Sequence, residues 1–163
     1  MLMSAASIAF HEAGHAVAHL ALGIETAEIY LRDSLHEEGG GVRPVSGHGD
    51  FRAAAISYCA GPEAQQGFFD RCCAAEDRPT LESNAHPANV YDLKCAERVC
   101  ASAALSFEGI RDEAAELVKE NWPAITRLAG LLLERRSLTE REACEALGPL
   151  CPSTTHPYHI QED

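Results

Sequence analysis

The chain has 163 residues, enough for one domain with a real core. Acidic residues outnumber basic ones, 25 to 13, for a formal charge of -12, and no lysine/arginine cluster appears, which argues against nucleic acid and anionic membrane surfaces as partners. The longest apolar run opens the chain and carries His11, Glu12, His15 and His19, so it suits neither a membrane span nor a signal peptide, and a cytoplasmic location is expected.

That run, Ala5 to Leu22, has helical length, with Ser4 or Ser7 placed to cap it and Gly23 to end it. It contains His11-Glu12-Ala13-Gly14-His15, a His-Glu-x-x-His segment. Residues four apart lie on one helix face, so His11 and His15 can aim one imidazole nitrogen each at a single ion. Glu12 sits about 100° round the helix, beside a water on that ion rather than on the ion itself. Two histidine ligands and a carboxylate base are the spacing of a zinc hydrolase, in which zinc lowers the pKa of bound water to roughly 7. The competing reading is an exposed helix with solvated histidines. Ile8, Phe10, Ala13, Ala16, Val17, Ala18, Leu20 and Leu22 make the helix apolar nearly all round, which implies burial. Burying two histidines and a glutamate without partners is costly, and a metal resolves that cost. His19 reads as a supporting or core histidine.

Thr26 to Arg32 alternates, with Ala27, Ile29 and Leu31 against Glu28, Tyr30 and Arg32, and reads as a strand. His36 to Gly41 reads as a loop, and Gly41 to Val45 as a short second strand that Pro44 keeps at an edge. No Gly-Lys-Ser/Thr follows these glycines, so they are not a phosphate loop. Asp50 caps a second helix from Phe51 towards Asp70, with a small-residue face (Ala53, Ala54, Ile56, Ser57, Ala60, Ala64) and a kink or break expected at Gly61-Pro62. Residues 71 to 87 have loop composition.

A third helix is expected from about Ala88 to Leu105. Asp92 is the lone charge on its apolar stripe with Ala96, Val99 and Ala103, and must have a cation or hydrogen-bond donors. Pattern alone leaves two readings open: an aspartate satisfied by backbone N–H groups at the helix start, or a third zinc ligand. Phe107 to Arg135 reads as further helix with a junction at Trp122-Pro123, and Ile125, Leu128, Ala129 and Leu132 as its apolar face. Thr139-Glu140-Arg141-Glu142 is a capping box for a last helix to about Leu147. Residues 149–163 read as an irregular tail in which His156 and His159 are solvated. Seven cysteines, an odd number with no Cys-x-x-Cys pair, fit reduced thiols better than a disulfide framework. Cys59, Cys95 and Cys100 read as small core residues, and Cys72-Cys73 as thiols near a loop.

Several segments together resemble the peptidase domain of the FtsH-type AAA+ zinc metalloproteases. They are Phe10-His11-Glu12-Ala13-Gly14-His15-Ala16-Val17, the strand and glycine stretch after it, Tyr58-Cys59-Ala60-Gly61-Pro62-Glu63-Ala64, Tyr91-Asp92-Leu93-Lys94-Cys95-Ala96, and Ile125 to Leu147. They occur in the family's order and cover most of the chain; the first and fourth are the specific ones. The chain departs from the pattern in three places. It contains neither the family's ATPase module nor its membrane anchor, Pro62, Gln65 and Gln66 replace its usual basic and acidic residues, and residues 71 to 87 match no segment of it.

The resemblance implies a mainly α (α+β) fold: a helical zinc metallopeptidase domain over residues 1–148 with a small β-sheet whose edge can hold an extended substrate chain. It implies His11, His15 and Asp92 as zinc ligands and Glu12 as general base. Apart from the resemblance, Glu63, on the second helix, and His86, close to Asp92 in sequence, are lesser alternatives for the third ligand. The expected activity is zinc-dependent peptide-bond hydrolysis of a peptide or unfolded protein, with a separate ATPase as a possible partner. The rival reading is a non-catalytic binding or regulatory protein that retains the fold. A structural zinc site, cysteine-rich with four protein ligands, fits this residue set least well.

Overall fold

Helix α1 (Ala5–Leu22) is the centre of the molecule: from Ser7 to Leu22 every residue except half-buried Phe10 is buried. A computed structural model describes residues 5–33, 38–45, 50–72 and 87–152. Expectations for Ser4, Cys73, His86, His156 and His159 therefore lie outside the described residues. After α1 come strands β1 (Thr26–Asp33) and β2 (Glu38–Pro44), helices α2 (Phe51–Cys72), α3 (Pro87–Ala103), α4 (Phe107–Glu120) and α5 (Trp122–Arg135), the two-residue β3 (Ser137–Leu138), α6 (Glu140–Leu147) and a 3₁₀ turn at Gly148–Leu150. The described chain is thus mainly helical with one small antiparallel sheet, strand order β2-β1-β3. No helix among the described residues is long and apolar enough to cross a membrane.

Gly23 ends α1 with φ 69°, and Ile24 N–H reaches back to His19 O at 2.9 Å. This six-to-one closure needs a left-handed residue, which glycine adopts without a Cβ penalty. In β1, Ile29 and Leu31 face the core as the alternation predicts, but Ala27 is exposed and Thr26 buried. The register with β2 slips between Thr26 and Glu28, and the resulting bulge turns Ala27 outward. The glycines expected in a loop belong to β2, where Gly39, Gly40 and Gly41 pair with Arg32, Leu31 and Tyr30. Pro44 ends β2 at the sheet edge, where no ladder partner needs its missing N–H.

Helix α2 runs unbroken through Gly61-Pro62, so of the kink or break expected there the break does not occur. Proline costs about 3 kcal/mol inside an isolated helix. Here Pro62 is fully buried and α2 packs against α1, α3 and α4, so tertiary burial outweighs the local penalty. α1 and α2 cross closely: a Cβ on Gly14 would lie 2.5 Å from Ala64 Cβ and 2.6 Å from Ala60 O. The small-residue face of α2 is what permits this approach. Phe10 stacks between Phe68 of α2 and Trp122 of α5, at 4.7 and 5.4 Å between centroids, and joins the three helices at the start of α1.

Asn121 separates α4 from α5 beside the Trp122-Pro123 junction. Ile125, Leu128, Ala129 and Leu132 are all buried against α1. The Thr139/Glu142 capping box forms reciprocally at the start of α6. Cys59 and Cys100 are buried, but Cys95 is only half-buried. It lies one residue from the buried Ala96 stripe, on the flank of α3 rather than its inner face.

Candidate metal centre

Three side chains from two helices converge at one point. His11 Nε2 and His15 Nε2 are 3.0 Å apart. Asp92 Oδ2 of α3 lies 3.0 Å from the first and 3.3 Å from the second. The group is buried and could hold a metal ion. Zinc–ligand distances of roughly 2 Å in a tetrahedron put ligand atoms about 3.3 Å from each other, so this triangle matches one face of such a site. The pair of rings meets edge to face, at 80°.

Second contacts fix the orientation of this set. His15 Nδ1 donates to the Ser57 carbonyl of α2 at 2.7 Å. A carbonyl only accepts, so Nδ1 holds the proton and a neutral His15 presents a lone pair at Nε2. That lone pair faces an Asp92 oxygen, and two acceptors at this distance need a positive charge between them. Either a proton or a metal ion supplies it. The residues therefore fit a metal: three lone-pair atoms, converged, with the tautomer of one already set.

The same geometry governs the titrations. Burial would lower His15, but the hydrogen bond and charge of Asp92, with help from Glu12 and Ser57, outweigh it and raise His15 to about 9. Burial would raise Asp92, but hydrogen bonds from His11 and His15 hold it well below the usual carboxylate range. In the metal-free fold the His15 contribution to stability is full below its ordinary 6.5 and is lost as pH rises through about 9. The Asp92 contribution is present above its ordinary 3.8 and is lost as pH falls. Metal entry at pH 7 must displace the His15 Nε2 proton. We expect release of about one proton per ion, with apparent affinity rising about tenfold per pH unit and levelling off above the His15 value. Calorimetric titration in two buffers of different ionisation enthalpy reads this directly; a heat independent of buffer would mean that His15 carries no Nε2 proton before the metal enters.

Glu12 is 6% exposed and stands beside the triangle. Burial foremost raises its pKa to about 7, with His15 opposing and Asp92 adding. β2 passes directly over it: a Cβ on Gly40 would meet Glu12 Cγ at 2.6 Å and Tyr30 O at 2.7 Å. The four residues open into a cleft of about 370 Å³ that Gly40, Gly41 and Val42 of β2 also line. A carboxyl group that titrates near neutrality, next to three converged ligand atoms in an open cleft, can accept and return a proton.

The other candidates lie elsewhere. Glu63 pairs with Arg111 of α4 at 3.2 Å and is not in the converging group. His19 is buried, with Nδ1 2.8 Å from Thr26 Oγ1, and its ring lines the same cleft. Sequence reasoning missed two supports. Gly61 faces the His15 ring, where a Cβ would lie 2.6 Å from Cδ2 and Cε1 and closer still to Nε2. Gln65, fully buried, donates to Ser7 O of α1 at 3.3 Å and accepts from Asn89 of α3 at 2.7 Å. Asn89 is one helical turn before Asp92, so this chain of amides holds the Asp92 end of α3 against α1 and α2. The signal was available: Ser57, Gly61 and Gln65 recur every four residues, on one face of α2.

No known protein-family model matches the chain, and no curated protein matches it in sequence. What fold and site define is a mainly helical protein with a buried His/His/Asp group able to hold a metal ion.

Proposed function

We propose that the protein is a zinc-dependent peptidase, built like the peptidase domain of the FtsH-type metalloproteases and acting on peptides or unfolded protein segments. The observation that carries this reading is the convergence of His11, His15 and Asp92 beside buried Glu12 in an open cleft. Zinc held by the three ligands would supply a Lewis acid that polarises a carbonyl and lowers the pKa of water to roughly 7. Glu12 takes the proton of the attacking water and delivers it to the leaving amine. His15, locked by Ser57 O, keeps its Nε2 lone pair on the ligand side throughout. The edge strand β2 borders the cleft and offers main-chain groups to an extended substrate. A separate ATPase partner would extend the substrate range to folded proteins.

The rival reading, a binding protein without turnover, drew on the altered Gly61 to Gln66 stretch. In the fold Gly61 seats His15 and Gln65 ties α3 to α1 and α2, so both residues serve the site. The deciding experiment measures zinc content and hydrolysis of an unfolded protein for the wild type and Asp92→Ala together. We expect about one zinc per chain and chelator-sensitive hydrolysis in the wild type, and loss of both in the variant. Stoichiometric zinc without hydrolysis of any unfolded substrate would favour the binding protein.

A further inference from the structure

Cys144 and Cys151 are seven residues apart, and the turn between them folds back. Gly148, at φ 53°, donates its N–H to Cys144 O, and Cys151 N–H donates to Gly148 O at 3.0 Å. These bonds set the two sulfurs 3.2 Å apart. Both side chains are half-buried and line one cavity of about 220 Å³ with His19, Glu25 and Glu140. The cavity gives a small reagent access to the sulfurs. We propose that Cys144 and Cys151 are a dithiol–disulfide pair, a modification site oxidised by small disulfides such as oxidised glutathione.

The exchange balances without any other reactant. The thiolate of one of the two cysteines attacks one sulfur of the small disulfide, forming a mixed disulfide and releasing one thiolate. The sulfur of the other cysteine, 3.2 Å away, then attacks the protein sulfur of that mixed disulfide, forming the internal bond and releasing the second. The two protein protons leave with these thiolates, so two protein thiols are oxidised and one small disulfide is reduced to two thiols. Burial, and then the bond with Cys151, push the Cys144 thiol up to about 12; the 3.2 Å approach of the two sulfurs lets whichever thiol remains free resolve the mixed disulfide.

Closing the bond joins α6 to the turn that follows it. Helix α6 also carries Glu140, whose carboxylate accepts the Thr26 N–H, and Thr26 Oγ1 meets His19 at the cleft. The pair therefore sits at the end of a bonded path to α1.

The test treats the full chain with oxidised glutathione, alkylates the remaining thiols and digests with trypsin. Both cysteines fall on the peptide after Arg141. That peptide should lose both alkylation sites together, without a glutathione adduct, and regain them with dithiothreitol. Cys144→Ser and Cys151→Ser should each trap a glutathione adduct on the cysteine that remains. Two alkylated cysteines at an oxidant level that fully modifies the exposed Cys72, or a lasting adduct in the wild type, would overturn the proposal.

Discussion

Glu12→Gln should bind zinc as the wild type does and lose hydrolysis by roughly 10²–10⁴-fold, the usual contribution of a positioned general base. The substitution is close to isosteric and changes only the capacity to hold a proton. Zinc should remain because Glu12 is not among the atoms that converge; those are His11 Nε2, His15 Nε2 and Asp92 Oδ2. The fold should also remain. Glu12 is buried and burial raises its pKa to about 7, so the fold already favours the uncharged form and tolerates a neutral amide there. A loss of that size corresponds to about 3–5 kcal/mol of barrier, too much for a rearranged surface contact to produce. Metal content by mass spectrometry and turnover of an unfolded protein, measured on one preparation, separate the two functions of the site. Turnover at the wild-type rate would remove Glu12 from the mechanism.

The two-histidine part of the site was legible because it is local. His11 and His15 are one helical turn apart, and an apolar helix carrying them declares both its burial and the face on which the two rings meet. The capping box at Thr139 was legible for the same reason: four consecutive residues contain the whole device. Asp92 was not fixed by pattern, because what distinguishes an aspartate that meets the two histidines from a capped one is a contact across 77 residues. Gly61-Pro62 misled in the opposite direction. Local propensity marks a break, but the position is buried at a crossing that requires a glycine, and the helix continues. Ala27 failed because a bulge, which depends on the partner strand, reverses the faces of a strand. Cys144 and Cys151 are likewise unremarkable in sequence; the turn through Gly148 makes them neighbours.

Gly61→Ala tests whether that crossing exists to seat His15. On helix propensity alone the change should stabilise, since alanine exceeds glycine by about 1 kcal/mol in a helix interior. At this position the new Cβ would point into the imidazole, 2.6 Å from Cδ2 and Cε1. The ring has little room to yield. It is a buried residue of α1, and its Nδ1–H is committed to Ser57 O, one turn earlier on the same helix as Gly61. Relief moves the ring, which breaks the Ser57 bond and withdraws Nε2 from His11 and Asp92. We expect zinc affinity to fall by about 10- to 100-fold, the range for losing a contact that orients a ligand. Gly130→Ala on α5 is the matching control. It is exposed, nothing lies within 4 Å of its Cβ position, and it should gain stability by about 0.5–1 kcal/mol with zinc binding unchanged. Undiminished zinc affinity in Gly61→Ala, beside the expected gain in Gly130→Ala, would mean that His15 does not bind metal from the position it occupies. The same loss in both variants would point to general destabilisation instead. Loss in Gly61→Ala alone ties the zinc site to one glycine on the facing helix.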